Sequence, residues 1–290
     1  MAKKAIFTGS AVALVTPFTE SGSINLDMLS QLIEFQIKNG TKAIVICGTT
    51  GESATITVDE RKKIIQHTIK KVSGRVPVIV GTGSNSTITA VEFSIQAQNF
   101  GADALLIVTP YYNKTSQNGI VKHYSYISER ISIPIILYNV PSRTGMNILP
   151  ETYQKLSKIP NIVATKEANG DISSIIKTKV LCKDDLWIYS GNDDQTLPIL
   201  SVGSGVISVF ANIAPAESQK IASNSKESRK LLMQYHEVME ALFWDINPIP
   251  VKAALKMLGF DCGECRLPLC DMSENLKSKL KILLTKNKII

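Results

Sequence analysis

The chain has 290 residues, of which 44% are hydrophobic and 20% charged, and it carries a formal net charge of +7. This is the balance of an ordinary globular protein able to bury a sizeable core, and no apolar run of 18 residues is present to suggest a membrane-spanning helix. Five cysteines, an odd number, do not suggest a secreted disulfide framework.

At the N-terminus, Met1-Ala2-Lys3-Lys4-Ala5-Ile6-Phe7 begins with basic residues, but its apolar stretch is soon cut by Thr8, Gly9 and Ser10. A signal peptide needs a longer apolar segment, so a cytoplasmic protein is expected. Short, β-branched, continuously apolar runs then recur at 11–17, 43–48, 76–81, 104–109, 133–140, 162–166, 186–190 and 205–211. Continuous rather than alternating apolarity is the mark of parallel strands buried on both faces. Between the runs lie segments with helical spacing. One carries Leu26, Leu29, Leu32, Ile33 and Ile37, with Asn25 or Asp27 to cap its start and Gly40 beyond its end. Another spans 59–72, with Ile64, Ile65 and Ile69 on one face.

Eight strand–helix units, most of them about 25–34 residues apart, predict a closed (β/α)8 TIM barrel over 1–213. An open doubly wound sheet would need a Gly-x-Gly-x-x-Gly turn after its first strand, and Gly81-Thr82-Gly83 is only a strand-ending fragment of one. From 214 to 290 the pattern is helical, with helices expected at 216–223, 226–244, 249–258 and 273–285. The first of these serves as the barrel's eighth helix. Asn247-Pro248-Ile249-Pro250 separates the second from the third, because prolines cannot continue a helix.

Lys277, Lys279, Lys281, Lys286 and Lys288 crowd the last segment and read as a solvated helix face. They lack the interleaved aromatics of a nucleic-acid surface, so neither nucleic acid nor membrane is an expected partner. Cys262, Cys265 and Cys270 supply three thiols where a closed zinc site needs four ligands, and no His stands beside them. Reduced thiols are expected there, and no metal.

In such barrels active sites lie at the carboxyl ends of the strands. Those ends carry Gly48-Thr49-Thr50-Gly51-Glu52-Ser53, Thr109-Pro110-Tyr111-Tyr112-Asn113, Tyr138-Asn139-Val140-Pro141-Ser142-Arg143-Thr144-Gly145, Thr165-Lys166-Glu167 and Ser190-Gly191-Asn192-Asp193. Lys166 ends an otherwise apolar strand. An amine buried there can attack a carbonyl and form an imine, which then serves as an electron sink. The competing reading is a lysine that snorkels to solvent or pairs with Glu167. Tyr138, on the neighbouring strand, could relay protons for such chemistry, with Thr49 and Tyr112 extending the relay. The Gly-Thr-Thr-Gly turn offers backbone N–H groups and hydroxyls to a carboxylate, and Arg143 offers a second, bidentate anion grip.

With Gly205-Val206-Ile207-Ser208 and Asn247-Pro248-Ile249-Pro250-Val251-Lys252, these motifs make the sequence similar, over essentially its whole length, to the pyruvate-dependent class I aldolase family, which includes N-acetylneuraminate lyase. The resemblance implies that Lys166 forms an imine with pyruvate and that Tyr138 shuttles protons through Thr49 and Tyr112. Tyr112 would reach a neighbouring subunit's site, in a homotetramer built as a dimer of dimers. Thr50, the backbone of Ile207 and Gly191 would bind substrate. The resulting enamine would attack L-aspartate 4-semialdehyde, and cyclisation would release the lysine, a step of diaminopimelate and lysine biosynthesis that needs no cofactor. Relatives acting on sialic acid or 2-keto-3-deoxy sugar acids differ after Tyr-Asn-Val/Ile-Pro, and Arg143 tilts the resemblance towards a second substrate bearing a carboxylate. Ser53, Ala54, Asn85 and Tyr111 match the family's lysine-inhibitor site. Val58 or Arg61, and Thr89, replace its imidazole and its acidic residue, so weak or absent inhibition by lysine is expected.

Overall fold

The computed structural model describes residues 3–290; Met1 and Ala2, which open the segment read above as lacking a signal peptide, lie outside the described residues. In chain order the elements are β1 (Gly9–Ala13), α1 (Leu26–Lys38), β2 (Ala43–Ile46), α2 (Val58–Val72), β3 (Val78–Gly81), α3 (Thr87–Asn99), β4 (Ala104–Val108), α4 (Gln117–Ser128) and β5 (Ile135–Asn139). Then follow α5 (Pro141–Thr144), α6 (Pro150–Leu156), β6 (Ile162–Glu167), α7 (Ile172–Cys182), β7 (Trp187–Ser190), α8 (Thr196–Leu200) and β8 (Gly205–Ser208). The C-terminal helices are α9 (Pro215–Ala222), α10 (Ser228–Ala241), α11 (Ile249–Met257) and α12 (Glu274–Lys286). Strands β1 to β8 pair in sequence order, all parallel, and β8 returns to β1 to close the barrel.

Every apolar run of the sequence overlaps a strand. The first strand lies earlier than expected, at Gly9–Ala13 rather than 11–17. Leu14 and Val15 stay buried beyond the strand's end, where the Leu14 amide still donates to the Val45 carbonyl at 2.9 Å, so apolarity continued past the strand. Asn25 caps α1 by accepting from the Met28 amide, and Thr57 and Glu60 form a reciprocal capping box on α2.

Alternation along the strands separates two cores. Ala43, Val45, Ile136, Tyr138, Ala164 and Tyr189 fill the barrel interior. Ile44, Ile46, Ile135, Leu137 and Ile162 face the surrounding helices. The amino end of the barrel is closed by the N-terminal segment. The Lys3 amine donates to the carbonyls of Ser157, Ile159 and Ile162, and Phe7 stacks on Tyr189 at 4.2 Å. The carboxyl end stays open, and the site lies there.

α9 packs on β1 and β8 as the eighth barrel helix, and α10 to α12 follow as expected. On α12 and beyond, Lys279, Lys281, Lys286 and Lys288 are exposed, as a solvated face requires. Among the described residues no helix is long and apolar enough to cross a membrane. Cys262 is buried and Cys270 exposed, and no group of three or more His, Cys, Asp or Glu among the described residues is placed to hold a metal ion.

Candidate active site

The position of Lys166 follows from strand parity. Ala164 points into the barrel, so Lys166 does too, and Glu167 turns outward. A register shift between Ile135 and Ile136 pairs Ile135 with Ile162 but Ile136 with Ala164, leaving Val163 as an extra residue on β6. That irregularity sets Lys166 directly beside Tyr138 on one side, and β7 sets Tyr189 beside it on the other. The Lys166 amine lies 4.4 Å from the centre of the Tyr138 ring, and both residues are buried.

Glu167 is not the partner of Lys166. Its carboxylate accepts from Tyr153 Oη and Asn139 Nδ2, each at 2.8 Å, and from the Asn169 amide at 3.1 Å, on the helix side of the sheet. Burial pushes its carboxyl up to about 7 in spite of these donors. The lysine neither snorkels nor pairs with its neighbour. It faces a cavity of about 320 Å³ at the barrel mouth.

That cavity is lined by Thr49, Thr50, Tyr138, Arg143, Lys166 and Gly191, all anticipated from sequence. Thr49 and Thr50 sit in a tight turn in which the Gly51 and Ser53 amides donate to the Gly48 carbonyl and Thr16 Oγ1 holds the Gly51 carbonyl at 2.7 Å. Arg143 is exposed on α5, held by buried Thr144, whose hydroxyl bonds Val140 and Met146, and by the Gly145 turn at φ 67°. Gly191 is a close-approach position. A methyl group there would lie 2.8 Å from Ala168 Cβ, 3.0 Å from the Glu167 carbonyl and 3.2 Å from Lys166 Cε.

Ile207 is fully buried in the barrel interior and does not line the cavity with its side chain. Tyr112 is 84% exposed at φ 72°, projecting from the surface rather than into its own chain's cavity. Of the inhibitor-site matches, Tyr111, Ala54 and Asn85 are exposed and Ser53 half-buried. Asn85 opens on a surface groove that also holds Lys114, Lys122 and His123. Arg61 is buried, donating to the carbonyls of Gly81 and Ser53 with its guanidinium 4.5 Å from the Phe93 ring. Its charge braces that corner from within instead of standing free at the surface.

Ser142 and Asn192, from the strand-end segments already named, also line the cavity, as do Val209, Phe243, Ile246 and Asn247, which were not assigned to it from sequence. Asn247 Nδ2 donates to Thr50 Oγ1 at 3.0 Å. The Asn-Pro-Ile-Pro-Val-Lys motif at 247–252 was the available signal, but nothing in the linear pattern says where it docks. The C-terminal extension is thus part of the cavity wall.

A closed eight-stranded barrel with its cavity at the carboxyl ends of the strands defines a (β/α)8-barrel enzyme. The chain belongs to the dihydrodipicolinate synthetase family, whose model matches residues 6–287. The 4-hydroxy-tetrahydrodipicolinate synthase of Acetivibrio thermocellus is 51% identical over 290 residues, covering 96% of this chain and 98% of the relative. The crystal structure of dihydrodipicolinate synthase from Thermotoga maritima has a TM-score of 0.96 at 42% identity, covering 99% of this chain and all of that one. The chloride-inhibited dihydrodipicolinate synthase of Acinetobacter baumannii, complexed with pyruvate, has a TM-score of 0.95 at 38% identity and covers 98% and 99%.

Proposed function

We propose that this chain condenses pyruvate with L-aspartate 4-semialdehyde through an imine on Lys166 and releases 4-hydroxy-tetrahydrodipicolinate. The observation that carries the reading is the Lys166 amine, turned inward beside Tyr138 on the wall of the mouth cavity while Glu167 is engaged elsewhere. Lys166 attacks the keto carbon of pyruvate, and the carbinolamine loses water to give the imine. Loss of a methyl proton yields the enamine, whose carbon attacks the aldehyde. The amine of the second substrate then attacks the imine carbon, closes the ring and expels Lys166. Because the imine is the electron sink, the chemistry needs neither metal nor organic cofactor.

Tyr138 carries protons between the carbinolamine and Thr49. Thr50 and the backbone at Ile207 hold the pyruvate carboxylate, Gly191 leaves room for the imine, and Arg143 takes the carboxylate of the second substrate. Tyr112 completes the relay from a neighbouring copy. Its exposure and left-handed backbone fit a side chain committed to another subunit, and we place it in a dimer that pairs again into a tetramer. A biosynthetic step that consumes pyruvate supports a cytoplasmic enzyme.

The test is a substrate panel. Pyruvate with L-aspartate 4-semialdehyde gives the cyclised product, whereas N-acetylneuraminate and 2-keto-3-deoxy sugar acids are not cleaved. Cleavage of a sugar acid without turnover of the semialdehyde overturns the assignment.

A further inference from the structure

The most deeply buried ion pair among the described residues lies behind the Thr49–Thr50 turn, and its two halves are 200 residues apart in sequence. Lys252 Nζ stands 2.8 Å from Glu52 Oε1, and the two side chains are 4% and 1% exposed. Glu52 closes the Gly-Thr-Thr-Gly-Glu turn in a left-handed conformation, φ 55°, with its amide donating to the Thr49 carbonyl at 3.0 Å. Its second carboxylate oxygen accepts from the Arg266 amide at 2.9 Å. Lys252 also donates to the Glu264 carbonyl, and its amine sits 4.3 Å from the Phe18 ring. Five residues before it, Asn247 reaches the neighbouring Thr50 hydroxyl.

We infer that Lys252 and Glu52 are positioning residues: with Asn247 they clamp the pyruvate-binding turn from the C-terminal extension and so set the affinity for pyruvate. The inference rests on the function proposed above. A buried ion pair contributes little net stability compared with well-packed apolar groups, because desolvation offsets the attraction. What it supplies is direction. One carboxylate fixed by two donors from different segments allows Glu52 a single orientation, and Thr49 and Thr50 follow three and two residues upstream. A left-handed non-glycine residue at the end of the turn also needs outside contacts to hold it. The motif at 247–252 thus acts on chemistry that only one of its residues, Asn247, touches.

The test compares Lys252→Met, Glu52→Gln and the double variant with the unaltered protein. Imine formation is followed by borohydride trapping over a range of pyruvate concentrations, alongside melting temperature and steady-state rates. Removing one charge leaves the other buried and unpaired, so each single variant melts lower, whereas the neutral pair recovers much of the loss. In the refolded double variant, half-saturation for pyruvate rises about tenfold or more while KM for the semialdehyde stays within about twofold. A double variant that regains its melting temperature and binds pyruvate as the unaltered protein does would show the pair to be structural only, overturning the inference. If the double variant does not regain stability, Glu52→Gln, which keeps the acceptor for the Arg266 amide, is assayed at a temperature where circular dichroism shows it folded, and the same two outcomes decide. Trapping in the unaltered protein is the separate control: its absence sinks the proposed function, not the clamp.

Discussion

Gly191→Ala puts a methyl group where the structure has least room for one. The new carbon would lie 2.8 Å from Ala168 Cβ and 3.0 Å from the Glu167 carbonyl, with Lys166 Cε at 3.2 Å. The first contact is closer than carbon atoms approach one another, and neither of the first two neighbours is a flexible tip. Relief by moving β7 away is opposed by the Gly191 amide, which donates to that same Glu167 carbonyl at 2.7 Å. The end of β6 has to yield, and Lys166 moves with it. Overpacking of this kind costs about 1–3 kcal/mol of stability, or roughly 2–5 °C in melting temperature for a chain of this size. A displacement of the amine approaching 1 Å costs on the order of 100-fold in rate. The assay is the rate of imine trapping by borohydride at saturating pyruvate, with thermal melting in parallel. The expected result is a fall of about 10–100-fold in a protein that remains folded at 25 °C. Trapping within about twofold of the unaltered protein, with no change in melting, would show that the neighbours accommodate a methyl group and that Gly191 does not set the lysine's place.

Glu167 makes a stability prediction. Its carboxyl is raised by burial from 4.5 to about 7, so the folded chain holds a proton that the unfolded chain has released. That contribution is fully present below pH 4.5 and is lost as pH rises through 7. About 3 kcal/mol of pH-dependent stability should disappear in Glu167→Gln, read as a flatter dependence of urea unfolding between pH 4.5 and 7.5. Equal slopes in the two proteins would contradict it. Arg143→Ala should raise KM for the semialdehyde by about 10–100-fold, the worth of a charge-assisted hydrogen bond, while pyruvate trapping is unchanged. A matching loss of pyruvate trapping would place Arg143 at the first substrate instead. Millimolar lysine should leave steady-state activity largely intact, because Thr89 supplies no countercharge; strong inhibition would show that Ser53, Ala54, Asn85 and Tyr111 suffice for a lysine site.

Much of the fold was legible because parallel barrel strands are buried on both faces, which leaves unbroken apolar runs in the sequence. Lys166 was legible for a related reason: a charged residue ending such a run is conspicuous. The boundary of β1 was misplaced because Leu14 and Val15 are buried for packing after the strand has ended. The irregularity at Val163, which brings Lys166 level with Tyr138, leaves no trace in a pattern of uniformly apolar residues. Phe243, Ile246 and Asn247 reach the cavity from beyond α10, and Glu52 finds its counter-ion 200 residues away. Contacts at such separation depend on how the extension folds back over the mouth, which periodicity does not encode. The motif around Lys252 could be noticed in the sequence, but only its docking gives it a role.

The central claim is that Lys166 carries the reaction, and it is tested most directly by mass spectrometry after borohydride reduction with pyruvate, in the unaltered protein and in Lys166→Ala. The account predicts a pyruvate-derived adduct mapped to Lys166 and absent from the variant. An unaltered protein that turns over its substrates yet yields no adduct, or an adduct that persists in Lys166→Ala, would contradict it.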